Sequence, residues 1–471
     1  MLPRRPASHA TRRSARVWRL AALTLAAHAA LALAAHPAHA QPVLPTGFSD
    51  QVVVSGLSSP IALAFLPDGR ALVAEYHVPD IRCIRGGTFA PGDPAANFDD
   101  IRTDQWENGL LGMAVDPGWP QRPYLYILCG DRASATLRIS RYAGSGDLTG
   151  GGDGSLQFST ATRYDVLTGI PCTQLEHHAG TLRFGLDGML YASIGDDSQP
   201  CNAQDPTIAT GKILRLDVSR LPAGAGGPPA VSLIAPPDNP YAGSSSSVAK
   251  LVWADGLRNP FRFAVSPIDG ALMVADVGDV QWEEVDRIAG GGRNEGWPVY
   301  EGPAVYGDNC GVQGDGPVWS YPHPGITAAI IGGPVYAAPA GATAPFPPPY
   351  RGDAFYSDFY SGVLVRLHFD GTRWTRAAPV PGQPDTLAWA EGYPEIADWL
   401  VGPDGALWYA RFSVDNVANQ GYVGRIVAAP GTALPAVSAN APALMLAVPE
   451  PSPTRAGARV RFALPRAQAV R

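Results

Sequence analysis

The chain is 471 residues long, with 53 glycines and 47 prolines but only 16% charged residues. That composition argues against long charged helices, which run nearer about a quarter charged, and the 46% hydrophobic fraction excludes a mainly disordered chain. With 42 acidic against 35 basic residues, a formal charge of -7 and lysines only at Lys212 and Lys250, a nucleic-acid partner is disfavoured.

From the N-terminus, residues 1–40 hold six arginines and no acid, then an apolar run from Leu20 to Ala35 and the small-x-small triplet Ala38-His39-Ala40. This order predicts a cleavable secretory signal peptide; Arg12-Arg13 leaves a twin-arginine leader as the alternative. The apolar run, broken by Thr24 and His28, is too short for a good membrane helix, so no integral membrane segment is expected in the mature chain. Without the six arginines, 29 basic residues face 42 acidic ones for a charge of -13. An acidic periplasmic or secreted protein is expected.

Residues 41–430 repeat one unit: an alternating apolar run, an Asp-Gly turn, and a second apolar run ending in a small or acidic residue. The clear copies begin at Leu63, Leu182, Phe263 and Trp399, with variants at Met113 and Gly352. Alternation buries one face of a strand, and Asp-Gly supplies a positive-φ turn, so each copy predicts a hairpin. The markers Asp68, Asp116, Asp187, Asp269, Asp353 and Asp404 are spaced 48, 71, 82, 84 and 51 residues apart. Simple propeller blades repeat every 40 to 50 residues or so; the longer intervals therefore imply inserted loops. The expected fold is all-β, a six-bladed β-propeller with inserted loops, in preference to a sandwich or paired barrels. A Pro/Ala-rich linker follows over 431–454. Residues 455–471 alternate as a short C-terminal β tail, and PSPTRAGARVRFALP resembles the opening of the C-terminal sorting modules of secreted Gram-negative proteins.

Five cysteines, 83, 129, 172, 201 and 310, leave at least one thiol unpaired, and a Cys172 to Cys201 disulfide would close a loop around the most interesting segment. That segment is Gln174-Leu175-Glu176-His177-His178-Ala179-Gly180, just ahead of a repeat strand. A histidine oriented by a carboxylate is the simplest general base near neutral pH, which makes His177 a candidate base. Glu107-Asn108 precedes the second unit and Arg258-Asn259 the fourth, and Gly278-Asp279 closes the fourth hairpin ahead of Glu283-Glu284. Equivalent positions of successive blades converge on one axis. Carboxylates and backbone carbonyls near Gly278, Asp279, Glu283 and Glu284 suit Ca²⁺ as the metal. No zinc, P-loop, nucleophile-elbow or dinucleotide motif is present.

The stretches ENGLLGMAVDP, EHHAGTLRFGLDGMLYASIGD, GKILRLD, GLRNPFRFAVSP, ADVGDVQWEEVDRI and GWPVYEG together resemble the soluble glucose/sorbosone dehydrogenase family. The resemblance implies a six-bladed propeller that oxidises sugars with pyrroloquinoline quinone (PQQ) and Ca²⁺. It implies His177 as catalytic base, Glu176 as the carboxylate that orients it, Arg258 and Asn259 as contacts to the quinone, and Glu107 at a channel position that binds cofactor. It also implies the carbonyls of Gly278 and Asp279 as Ca²⁺ ligands. Tyr360, Glu395 and Ala397 stand where the glucose-oxidising branch has cations, and Thr181 stands for an arginine, which leaves Arg258 and Arg366 to hold the cofactor carboxylates. The expectation is an exported PQQ- and calcium-dependent oxidoreductase acting on a sugar or polyol with an external electron acceptor. Two alternatives remain: a non-catalytic propeller that binds carbohydrate or protein, and a Ca²⁺-dependent lactone or ester hydrolase.

Overall fold

Each Asp-Gly turn joins the first two strands of a sheet, and its aspartate shapes it. Oδ1 accepts the backbone N–H two residues on: Arg70 at 3.0 Å from Asp68, Gly118 at 2.8 Å from Asp116, Met189 at 3.1 Å from Asp187, Ala271 at 3.3 Å from Asp269 and Ala406 at 3.1 Å from Asp404. Except after Asp116, which Pro117 follows, the next residue is a glycine at positive φ, +77° at Gly188. The carboxylates also bind the neighbouring strands, as where Asp187 accepts from Arg215 and Tyr191, both at 2.9 Å. Asp353 departs from this pattern. It accepts from His368 Nδ1 at 2.6 Å, and the copy read from Gly352 begins on the second strand of its sheet, the first being Ile330–Val335.

The computed structural model describes residues 41–429, apart from 105–106, 308–309, 312–313, 324–326 and 414–417, and two short strands at Met445–Leu446 and Phe462–Ala463. The expected signal peptide, and most of the linker and of the C-terminal tail, lie outside the described residues. Six sheets follow in chain order, with innermost strands Pro60–Phe65, Leu110–Val115, Leu182–Phe184, Arg262–Val265, Ile330–Val335 and Ile396–Val401. Each innermost strand packs on the next and the sixth on the first, so the ring closes as a six-bladed propeller. We number the blades in that order. The alternation did not show how the ring is fastened: Phe48–Leu57 pairs antiparallel with Gly421–Ala428, so the first long strand of the described chain is the outer strand of the last blade. The inserted loops include a single helical turn, Val231–Ile234, in blade 3 and a small hairpin, Tyr300–Glu301 with Ala304–Val305, in blade 4.

Arg262 fills the axis. Its buried guanidinium donates to the carbonyls of Ile61 (2.7 Å), Leu111 (3.4 Å), Gly180 (3.4 Å), Phe261 (2.9 Å) and Ala397 (2.9 Å), and Asp398 lies 3.8 Å away. Burial pulls its pKa down to about 10, so it stays charged at neutral pH. One side chain thereby ties together the innermost segments of five blades. Arg262→Met is expected to lower unfolding free energy by about 3–5 kcal/mol, because it removes the charged donor that five carbonyls share, while Asp398 keeps its pair with Arg183 at 3.1 Å; the denaturant midpoint reads this loss.

Candidate active site

Loops leading into the innermost strands and loops leaving the second strands meet at one end of the axis, around a cavity of about 370 Å³. All six blades supply its wall: Tyr76 from blade 1, Glu107 ahead of blade 2, His177 ahead of blade 3, Arg258 and Asn259 ahead of blade 4, Tyr360 from blade 5 and Phe412 from blade 6. The structure thus brings His177, Glu176, Glu107, Arg258 and Asn259 to one place. A second cavity, of about 360 Å³, lies between blades 4 and 5 against Trp319, Tyr356 and Leu387 and contains none of the predicted site residues.

His177 is held in an unusual backbone conformation. Its φ is +66°, in the left-handed region that costs a non-glycine residue about 1–2 kcal/mol. Glu107 Oε2 offsets this by accepting the N–H of His177 at 2.7 Å and of His178 at 3.0 Å. The ring Nδ1 lies 2.8 Å from Asp196 Oδ1. Asp196 is buried, and donors approach both its oxygens: the Ser198 N–H at 2.8 Å on Oδ1 and the Trp297 Nε1–H at 2.9 Å on Oδ2. A carboxylate so surrounded only accepts. Nδ1 of His177 therefore carries the proton, and Nε2 keeps its lone pair. The segment before Asp196 packs so tightly that a Cβ on Gly195 would stand 2.1 Å from His177 O. Gly195→Ala is expected to cost about 1–3 kcal/mol of stability, seen as a lower thermal midpoint, and to displace the imidazole.

Glu176, expected to orient the imidazole, does not. It is exposed at the cavity wall, while the left-handed turn directs the His177 ring to the segment after Leu190–Ile194, where Asp196 stands. Asp196 was legible as the acid that closes the repeat copy LRFGLDGMLYASIGD, yet nothing in the spacing tied it to His177. Trp297, which holds the far oxygen, gave no signal.

Arg258 and Asn259 are fixed through their backbones, whose N–H groups donate to Asp276 at 2.8 and 2.7 Å. The guanidinium donates to Val277 O at 3.0 Å and Asp279 Oδ1 at 2.8 Å, and lies 5.5 Å from the Trp297 ring centroid. Two buried polar atoms here have no protein partner: Arg258 Nε and Asn259 Oδ1. Orphaned groups of this kind are rare in interiors and point to a ligand or water. Arg366, a candidate for holding cofactor, is instead committed to Asp353 at 3.4 Å and to the Tyr350 ring, away from the cavity wall.

The four residues predicted to hold metal separate into different environments. The turn after Gly278 is shaped by Glu301, whose Oε1 accepts the N–H groups of Asp279, Val280, Gln281 and Trp282 at 2.7 to 3.2 Å. The Asp279 side chain binds Arg258 and accepts the Tyr306 hydroxyl at 2.7 Å. Glu283 is engaged by His323 Nε2 at 2.6 Å and the Ile330 N–H at 2.9 Å. Glu284 joins Asp276 and Asp286 in a buried cluster whose ligand atoms all lie within 4.8 Å of one another. The cluster follows from strand geometry: Glu284 and Asp286 are two apart on one face, and Asp276 is the cross-strand partner of Glu284. Neither carboxylate oxygen of Asp286 has a protein partner. Burial pushes Asp276 up to about 7, and burial followed by repulsion from the neighbouring acids holds Glu284 and Asp286 well above the usual carboxylate range. A divalent cation would relieve that repulsion.

The disulfide joins Cys201 to Cys310, 109 residues apart, not to Cys172, which is buried and free. The pairing depends on the blade 4 insertion folding over the segment beyond Asp196, a contact no local spacing shows.

Comparison with known proteins agrees with this architecture. The profile of the Glucose / Sorbosone dehydrogenase family matches residues 57–412. The HIPL1 protein of Arabidopsis thaliana is 36% identical over 235 residues, covering 44% of this chain and 32% of the relative. The quinoprotein glucose dehydrogenase B of Acinetobacter calcoaceticus is 26% identical over 297 residues, covering 56% and 54%. The match therefore spans about a third of the plant relative's length and about half of the bacterial one's. Among solved structures, the PQQ-bound aldose sugar dehydrogenase of Streptomyces coelicolor shares the fold with a TM-score of 0.60 at 22% identity, over 82% of this chain and 99% of that one. With the ring of six blades and a family match across 57–412, the chain belongs to the glucose/sorbosone dehydrogenase family.

Proposed function

We propose that this protein is an exported PQQ- and calcium-dependent oxidoreductase that oxidises a sugar or a related polyol. The observation that carries the proposal is the His177 to Asp196 pair, which leaves Nε2 with a lone pair beside the same cavity as Arg258 and Asn259. A cavity of about 370 Å³ is within the usual range for a small-molecule site, and the unpartnered Arg258 Nε and Asn259 Oδ1 suit a ligand that both accepts and donates hydrogen bonds. PQQ, when bound, supplies the two-electron acceptor for a hydride leaving the substrate carbon. His177 Nε2 takes the hydroxyl proton, and Asp196 holds the ring and stabilises the imidazolium that forms. Arg258, anchored by Val277 O and Asp279, places positive charge where negative charge develops on oxygen. Glu107, fixed through Oε2, presents Oε1 for substrate or cofactor hydroxyls. Calcium would be held by the buried Asp276, Glu284 and Asp286 carboxylates. The leader over residues 1–40 supports a periplasmic or secreted location, where an external acceptor must take up the electrons.

A second reading, a non-catalytic propeller that binds carbohydrate or protein, is favoured by one observation. Tyr360 and Ala397 line the cavity without charge and Glu395 is paired with Arg411 at 3.4 Å, so among the described residues Arg258 is the one guanidinium on the cavity wall. Calorimetric titration of the mature protein with PQQ in the presence of Ca²⁺ separates the two. Affinity of about 1 µM or tighter, about 8 kcal/mol of binding free energy, with aldose-dependent reduction of an artificial acceptor, is expected. No PQQ binding alongside measurable glycan affinity would decide for the second reading.

A further inference from the structure

Beside the proposed base stands a second histidine that none of these steps uses. His178 is 1% exposed. Its Nδ1 lies 2.8 Å from the backbone carbonyl oxygen of Glu107, which can only accept. Its Nε2 lies 3.3 Å from Asp197 Oδ1 and 3.4 Å from Cys172 Sγ. Asp197 is surrounded by donors: the Thr173 N–H at 2.9 Å on each oxygen, the Thr173 hydroxyl at 2.6 Å and the Gln174 N–H at 2.9 Å. It is therefore an ionised acceptor, and the Cys172 thiol is turned to Asn108 Oδ1 at 3.2 Å. A neutral imidazole has one N–H and one lone pair. Here both nitrogens face acceptors, and only the imidazolium satisfies both. Burial works against that charge, but the bond to Asp197, with contributions from Cys172 and Glu107, outweighs it and raises the His178 pKa to about 10.

We propose that His178 is a standing imidazolium and the positioning residue of His177: its two N–H groups clamp the Glu107 loop to the Asp197 segment, and its charge opposes protonation of the neighbouring ring. The inference rests on the reading of His177 as base. The clamp is reciprocal, because Glu107 Oε2 accepts the backbone N–H groups of both histidines while its carbonyl accepts from the His178 ring. Titratable and charged groups facing His178 are Glu107, Asp197 and Cys172; those bonded to His177, electrostatically coupled to it or lining its cavity are Asp196, Asp279, Glu107, Glu176, Arg258, Tyr76, His77 and Tyr360. Four of the groups around His177 are carboxylates, and the charge on His178 helps balance them.

Nitrogen-15 NMR of the histidine-labelled chain tests this, in wild type and in His178→Gln, which keeps an N–H but no charge. Both His178 ring nitrogens are expected to stay protonated from about pH 6 to about pH 9, and the His177 ring signal to titrate about one pH unit higher in the variant. A His178 ring that loses a proton within that range overturns the imidazolium. A His177 midpoint that moves by less than about 0.2 unit overturns the positioning role, since loss of packing alone does not predict a shift of that sign. If His178→Gln does not fold, His178→Asn gives the same readout, and the wild-type signals alone decide the charge state. Neither measurement needs cofactor or turnover, so absent dehydrogenase activity would count against the oxidoreductase reading and leave this result separate.

Discussion

Asp196→Asn is expected to lower kcat by about 10³-fold, nearly as much as His177→Ala, although residue 196 is buried behind the imidazole and does not line the cavity. The carboxylate accepts three hydrogen bonds, from His177 Nδ1, Ser198 N–H and Trp297 Nε1–H. An amide has one oxygen and one NH₂ group, so it cannot accept on both sides. If the oxygen stays with Trp297, the NH₂ donates to His177 Nδ1. That moves the ring proton to Nε2, the atom required to receive the substrate's proton. Turnover with an artificial acceptor at saturating PQQ and Ca²⁺ measures the loss. PQQ affinity changing by less than about threefold would show that the imidazole tautomer, and not the binding site, was altered; an unchanged kcat would remove His177 as base.

Calcium is expected to raise the thermal midpoint by about 3–6 °C at millimolar concentration, with chelation reversing the shift and Asp286→Asn removing most of it. The cause is the buried Asp276, Glu284 and Asp286 cluster. Burial pushes Asp276 up to about 7 against 3.8 ordinarily, and burial with repulsion from neighbouring acids holds Glu284 and Asp286 well above the usual carboxylate range. Such acids bind protons more tightly folded than unfolded. The metal-free protein therefore loses stability as pH rises from about 4 through about 7, and the calcium effect should grow over the same interval. Scanning calorimetry at about pH 5 and about pH 8, with Ca²⁺ and with chelator, checks both statements. A shift equal at the two pH values would separate the cation from this cluster.

Much of the fold could be read from local pattern. Alternation marked the strands, and the aspartate that accepts from the residue two places on marked five of the six turns, because a hairpin and its turn are made from neighbouring residues. Asp353 shows the limit: its partner is His368, and its copy omitted the innermost strand. At the site, His177, Glu107, Arg258 and Asn259 were legible because each precedes an innermost strand, and all such positions converge on the axis. Glu176, which the family resemblance implied as the partner of His177, is replaced in that role by Asp196, because the left-handed turn at His177 aims the ring at the segment 19 residues on.

The amino-acid order by itself determined six sheets about a common axis and which loops face it, since turn hydrogen bonds and period-two burial act over a few residues. Only the closed tertiary structure decided that Asp196 and Trp297 back His177, that Cys201 meets Cys310, that Phe48–Leu57 completes the last blade and that Arg262 ties five blades together. These partners lie 19 to more than 350 residues apart. What selects them is which side chain fills the space left when the ring closes, a quantity of shape and buried charge that spacing along the chain does not contain.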